Sequence, residues 1–439
     1  MASAYRYYGM QCLPYEMIEH IVNFMDGRSL IRAKSVCTRW NEVATLFDKK
    51  NDHWKNICFE EISRCVLLEL TVKKYPFWRP RSKSNEQLNW KDVYLTWLHW
   101  RALSNSVYYI DVISDHKSGC ITCLKLIGNS IVVGMGNGEI KSWKAGGREP
   151  YLVSRHHSRV NCLEVMSILD KRRGDGINQL DYILSTSNDK IVKISYLIDE
   201  GMPPNYFDVY HHQHCITMVR AQQSYFTTLD ESGTIAVFVV SGPSFDDDMP
   251  QITGMTKDGT ILSADFFKDG KRMRVESTPE NGTVHVTVVQ NSSAYANKVN
   301  QYKEIEIMQY YHWRGDIFMW ITDDHNMLIS LNGNEYYEYN IERILNTYPT
   351  TALLYGNMLI LGLESGAIVM YYVETAEDLV HLNLRAHHWL HDIANDPIIT
   401  IDILETSAGP VLAVLSHTNV YLIEWSFNIE DVISGVADF

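Results

Sequence analysis

Long hydrophobic runs are missing from this chain. No stretch of its 439 residues approaches the roughly 18 apolar positions that cross a bilayer, so no membrane partner is expected. Residues 1–12 lack a basic start followed by an apolar core, so no secretory leader is expected. Cysteine is scarce: eight thiols are too few for a disulfide scaffold and suit a reducing compartment, the cytosol or the nucleus. Positive charge is also short, with 39 Lys and Arg against 53 Asp and Glu. That balance argues against a nucleic-acid partner, whose backbone calls for clustered cations. No Walker loop, nucleophile elbow or kinase signature occurs, so no enzyme, catalytic residue or cofactor is expected.

What is present divides in two. The first 105 residues hold 16 Lys and Arg against 11 Asp and Glu, while the rest hold 23 against 42. The net +5 and net −19 that result mark two physically different parts. In the first part, Leu13, Met17, Ile18, Ile21, Phe24 and Met25 recur at three- and four-residue steps. This is a helical stripe, with Pro14 suited to the first helical position. Asp26-Gly27-Arg28 interrupts it. Ser29 then suits an N-cap for a second stretch through Leu30, Ala33, Val36, Cys37 and Trp40. Val43, Ala44 and Phe47 extend it, and Trp54, Ile57 and Phe59 close the series.

Some 45 residues lie near the lower limit for unaided folding, and these carry more large apolar side chains than three short helices can hide. Part of that surface is expected to be an interface, with packing on the rest of the chain as the alternative. From residue 60 to 105 a connector follows. Val66, Leu67 and Leu70 suit a helix, Lys73, Lys74, Arg79, Arg81 and Lys83 a solvated loop, and Asn89–Leu103 a helix whose aromatic stripe is core or docking surface.

The residues Leu13-Pro14-x-Glu16, Ile18, Ile21, Phe24-Met25-Asp26, Ser29-Leu30, Ala33, Val36-Cys37-x-x-Trp40 and His53-Trp54-Lys55-x-Ile57-Cys58 resemble the F-box motif. Met25 departs from it, standing where the family usually has Leu. The resemblance implies docking on the Skp-type adaptor and, through it, a cullin–RING ubiquitin ligase. Leu13, Pro14, Ile18, Leu30, Val36, Cys37 and Trp40 would form or support the adaptor-facing surface. The expected boundaries are residues 11–59 for this module and 60–105 for a helical linker.

From Val107 the period changes to two, and Val-, Ile-, Tyr- and Thr-rich segments alternate with Gly-, Asn- and Asp-rich turns, as in antiparallel strands. A cassette recurs: a small polar turn, then alternating apolar residues, then an aromatic or apolar one. Its copies end at 143, 194, 238, 287, 339, 371 and 425, on average 47 residues apart. Such a period predicts four-stranded propeller blades, here seven. Histidines supply a second marker, His116, His211 and His312 each 27 positions before a cassette end and His156 and His387 each 38 before. The pattern resembles the WD-repeat propeller family, although no unit ends in an intact Trp-Asp pair. Residues 106–439 would be the propeller, with Val107–Ile113 closing the last blade as its outer strand.

The fold class expected is thus α plus all-β, a helical module and linker before a propeller. The function expected is a substrate-recognition adaptor of an SCF-type ubiquitin ligase, with a protein substrate on the propeller. A non-degradative scaffold is the alternative. Lys117, Arg155, Arg159, Arg314 and Arg385 flank the histidines and could hold an acidic or phosphorylated partner, while the net −19 favours a basic one. Cys120-x-x-Cys123 invites a metal, but no second such pair exists and the residues suit a buried strand. His211, His212 and His214, and His387, His388 and His391, fall where the repeat expects its own histidine.

Overall fold

The computed structural model describes residues 13–75, 88–113, 120–128, 130–144, 149–170, 178–196, 206–222, 225–232, 234–239, 252–255, 260–266, 272–278, 283–290, 293–301, 307–314, 317–331, 335–406 and 408–427. Six helices come first: α1 (Tyr15–Asn23), α2 (Gly27–Ala33), α3 (Thr38–Asp48), α4 (Asn51–Glu61), α5 (Arg64–Lys74) and α6 (Trp90–Arg101). Pro14 is the N-cap of α1, one position earlier than the spacing suggests. Asp26 rather than Ser29 caps α2, because its carboxylate is placed to accept the Ser29 N–H at 2.6 Å. The second expected helical stretch is broken at Lys34–Cys37, so Trp40 belongs to α3. Lys73 and Lys74, expected in a loop, finish α5 with carboxylate partners Asp402 and Asp92, while Arg79, Arg81 and Lys83 lie outside the described residues.

The strands form seven four-stranded antiparallel sheets among the described residues, six of them simple meanders. Blade 1 spans residues 121–155, blade 2 160–211, blade 3 216–255, blade 4 260–301, blade 5 307–339, blade 6 349–392 and blade 7 398–426. Val107–Ile113 pairs with Val420–Ser426 as the outer strand of blade 7, so the two ends of the propeller segment close one sheet. The first strands of successive blades adjoin one another and are therefore the inner ones.

Every inner strand shifts register within its first few residues, at Ile121/Cys123, Val160/Cys162, Ile216/Met218, Ile261/Ser263, Ile307/Gln309, Pro349/Thr351 and Ile398/Thr400. The bulge re-aims the extra side chain. Thr122 Oγ1 donates to Val160 O at 2.7 Å, Asn161 Nδ2 to Ile216 O at 2.8 Å and Thr350 Oγ1 to Ile398 O at 2.5 Å. Each bond stitches one inner strand to the next, so the bulges fasten neighbouring blades.

Six of the seven cassettes fall on the third strand of their blades, from Glu139–Lys144 to Val420–Ser426. The fifth does not. Glu335–Tyr339 is the outer strand of blade 5, and its third strand is Met327–Leu331. The uneven spacing between 287, 339 and 371 disappears once the unit ends at 331.

The histidine marker also needs correction. His156 and His212 are buried, each four residues before an inner strand. Nδ1 of His156 lies 2.9 Å from Asp189 Oδ2 and Nε2 2.9 Å from Ser185 Oγ. His212 repeats the arrangement with Asp230 at 3.1 Å and Thr228 at 2.8 Å, and burial lowers its imidazole pKa against the pull of that carboxylate. His211 is exposed. In blade 7 the equivalent place is Ala394, whose N–H donates to Gly366 O as that of His156 donates to Gly138 O, so His387 is not the marker. Gly138 has φ +89°, and a Cβ there would meet His156 O at 2.4 Å. Only glycine fits that turn.

The helices cover one end of the ring. Trp97 Nε1 donates to Asn357 Oδ1 at 2.9 Å and Trp100 Nε1 to Glu405 Oε1 at 2.6 Å, with both indoles buried. Glu69 receives Arg314 Nη1 at 2.6 Å and the Gly356 N–H at 3.1 Å. At the other side of α6, Tyr94 packs on Trp54, and Glu61 accepts from both Tyr94 Oη and Gly27 N. One hydrophobic core therefore runs from Ile18 in α1 through α6 to Ile423 and Trp425 in blade 7.

Two predictions follow from this joint. Trp97→Ala should lower unfolding free energy by about 3–5 kcal/mol, read from denaturant midpoints; a loss under about 1 kcal/mol would show that the ridge does not weld the two parts. Burial pushes the Glu69 carboxyl up to about 7, outweighing the Arg314 guanidinium and the Gly356 N–H. A carboxyl raised in the folded state contributes stability below its ordinary value of 4.5 that is lost as pH rises through about 7. Wild type should therefore lose stability relative to Glu69→Gln across that window, and a constant difference would refute it.

Candidate docking surfaces

The helical module carries its apolar residues on two sides. Ile18 and Val22 of α1 are fully buried, as are Leu30 of α2 and Val43, Ala44 and, nearly so, Trp40 of α3. Met17 and Ile21 of α1 and its C-cap Phe24 follow one another at i, i+4 and i+7 and are exposed, Phe24 with 74% of its surface. The single stripe read from the sequence is thus two stripes back to back. Pro14 and Val36 are exposed, and Leu13 and Cys37 are half-buried. The start of α1 is braced against α3: Arg39 donates to Leu13 O at 3.2 Å and lies over the Tyr15 ring, and Tyr15 Oη donates to Glu42 at 2.6 Å.

Of the seven residues expected at an adaptor-facing surface, Ile18, Leu30 and Trp40 are buried, Leu13 and Cys37 are half-buried, and Pro14 and Val36 are exposed. Met17, Ile21 and Phe24, which that expectation left out, are exposed, and the doubled apolar spacing along α1 was the available signal.

The propeller has two ends. Connections between blades and the turns between second and third strands share the end away from the helices. Arg155 and Arg159 lie there, both exposed, with Arg155 held by Glu139. His157, Lys190, His211 and His214 stand on the same rim of blades 1–3, and Lys190 Nζ donates to Gln213 O at 2.9 Å. Across the rim, blades 5–7 present Asp323, Asp324, Glu342 and Asp396. Glu231 of blade 3 and Arg343 beside Glu342 are exposed there too, so charge of both signs is spread along the described rim.

Two of the expected arginines are at the opposite end. Arg314 occupies the turn between the first two strands of blade 5 and is spent on Glu69 of α5. Arg385 lies between the third and fourth strands of blade 6. Alternating strand direction puts both turns on the helix side, which proximity to histidine in the sequence could not reveal. Lys117 lies outside the described residues.

Further charge is neutralised inside the ring, three residues beyond the bulges. Lys125 sits 3.3 Å from Glu164, Arg220 3.7 Å from the same carboxylate, and Asp402 accepts the Leu126 N–H at 2.8 Å while Lys73 of α5 reaches it at 3.4 Å. The charge of Glu164 holds the Lys125 ammonium pKa above its ordinary value. Cys123 lies on the inner strand of blade 1 with its Sγ where a Cβ on Gly134 would sit, and burial pushes its thiol up to about 12. Such a thiol packs as an apolar residue. Of the second histidine group, His387 and His391 are exposed, and burial lowers His388 to about 4.

The F-box domain model matches residues 10–52. Among solved structures, the WD40 beta propeller domain of Doa1 superposes with a TM-score of 0.50 at 12% identity, covering 72% of this chain and 97% of that one. The Myceliophteria thermophila Cps50 (Swd1) beta-propeller domain gives a TM-score of 0.49 at 10% identity, covering 72% and 99%. The likeness to the first is one of fold. The chain thus carries an F-box domain at its front and, behind it, a ring of four-stranded blades with the fold of a WD40 β-propeller.

Proposed function

We propose that the chain is the substrate-recognition subunit of a Skp–cullin–F-box ubiquitin ligase, working in the cytosol or nucleus. The observation that carries this reading is the outward stripe of Met17, Ile21 and Phe24 on the F-box domain, joined through one continuous core to the propeller. The stripe, with Leu13, Pro14, Val36 and Cys37, docks the Skp-type adaptor. Ile18, Leu30 and Trp40 hold α1 to α3 at the required spacing from below.

A protein substrate binds the propeller rim away from the helices, with Arg155 and Arg159 among its contacts. The chain contributes no reacting group. Its effect is proximity: a substrate bound on the ring stays at high local concentration near the ubiquitin-charged enzyme. Because the helices and ring share a core rather than a flexible tether, that distance is set by the fold.

Phe24→Ala should weaken adaptor binding by about 2 kcal/mol or more, roughly 30-fold, while leaving the melting temperature unchanged. Ile18→Ala should instead cost about 2–5 kcal/mol of folding stability. Calorimetric titration with the purified adaptor and thermal melts separate the two. Adaptor affinity unchanged in Phe24→Ala would remove the stripe from the interface. In cells, loss of the adaptor should make propeller-bound proteins accumulate; unaltered levels of all of them would favour a non-degradative scaffold.

A further inference from the structure

Where the helices meet blade 6, two like charges stand together without a counterion. Arg28 is the second residue of α2 and Arg101 the last of α6, and both are half-buried. Burial lowers the Arg28 guanidinium pKa below its ordinary value, and the charge of Arg101 lowers it further. Lys73, Lys74 and Arg314 at the same joint are each met by a carboxylate. Among the described residues, Arg28 and Arg101 form no hydrogen bond or ion pair. Arg101 lies over the Trp97 ring, 4.8 Å from its centre, and over Tyr372 of blade 6 at 5.3 Å. Stacking uses the flat face of a guanidinium and leaves its edge of N–H donors free. The Tyr372 hydroxyl is itself buried without a hydrogen-bond partner, and burial pushes its phenol up to about 12, so it keeps its proton.

Carboxylates in the neighbourhood do not neutralise the pair. Glu61 accepts the Gly27 N–H at 2.8 Å with one oxygen and Tyr94 Oη at 2.6 Å with the other. Asp378 is closed in a capping box with Thr375, and Glu374 acts on Tyr372 without pairing with either guanidinium. Two half-buried cations held together cost free energy that an anion between them would recover. We propose that Arg28 and Arg101 together bind a phosphoryl dianion at the seam between the F-box domain and blade 6, with Tyr372 holding Arg101 in place. A phosphate monoester carries about −1.5 to −2 near neutral pH and so matches the pair, with oxygens enough for two guanidinium forks. A single carboxylate would leave one charge of the pair unmet. Inorganic phosphate and a phosphorylated side chain share this chemistry. The site uses none of the residues assigned to the adaptor or to the rim.

Thermal melts and calorimetric titrations of the full-length chain, with phosphate exchanged for chloride at constant ionic strength, test this. Wild type should bind inorganic phosphate and melt higher as its concentration rises. Arg28→Gln should melt no lower than wild type in chloride, because the like-charge contact is gone, and should lose phosphate affinity by about tenfold or more. Arg101→Met, which keeps an apolar stem on Trp97, should lose it likewise. Arg64→Gln, at an exposed arginine of α5, should respond to phosphate as wild type does. Tighter binding of O-phosphoserine than of inorganic phosphate identifies a phosphorylated partner as the source, and the reverse order the free ion. A wild type that responds to phosphate no more than to chloride would overturn the proposal. So would wild-type phosphate affinity in Arg28→Gln or Arg101→Met, or an equal loss in Arg64→Gln.

Discussion

The arrangement depends on α6 being apolar around most of its circumference. Trp54 and the F-box core take one side through Val93 and Tyr94, and blades 6 and 7 take the other through Trp97 and Trp100. Such a helix satisfies its own backbone but leaves its indole N–H groups to be met, and those of Trp97 and Trp100 each find a side-chain acceptor on the ring. Burial thus brings the parts together, while these bonds fix the rotation of one against the other. Nonspecific apolar packing could not do the second, because it has no preferred angle.

The bulk of this was legible in the sequence because two periods are hard to confuse. The change from three-and-four spacing to alternation near residue 106 marked the boundary, and the F-box residues carried their own spacing. The repeat count survived although one copy was set in the wrong register. Tight polar turns precede both the third and the fourth strand of a blade, so Glu335–Tyr339 satisfied the cassette as well as Met327–Leu331 did. Pairing between strands, which separates the two, is a long-range property that turn chemistry does not encode. The same holds for His211 and His212: adjacent residues on extended backbone face opposite ways, and only Asp230 and Thr228 decide which one is buried.

Charge was the least legible feature. A net of −19 after residue 105 suggests a uniformly acidic body, yet much of the charge is consumed locally. Glu164, Asp402 and Glu69 each face a cation from another element, and Lys73 and Arg314 are spent fastening helices to the ring. Arg314 illustrates the error most clearly. Its sequence neighbour His312 suggested the partner-binding end, whereas the hairpin turn between them and the next strand carries it to the helix side. Strand direction, not neighbourhood, decides which end of a blade a charge reaches.

That rule also constrains where partners can go. Five of the seven apolar positions expected at the adaptor surface lie in or cap α1, α2 and α3, while α5 and α6 cover the end of the ring beneath them. A second protein must approach the free rim or the outer edges. On the described rim, charges of both signs occur, Arg155, Arg159 and Glu231 on blades 1–3 and Asp323, Asp324, Glu342 and Arg343 on blades 5–7. Bulge residues that bond to the next inner strand, Thr122, Asn161 and Thr350, hold those neighbouring blades together. The spacing of the rim charges is therefore set by the blades that carry them and not by their separation in the sequence, which is why neighbouring charges along the chain can end at opposite ends of the ring.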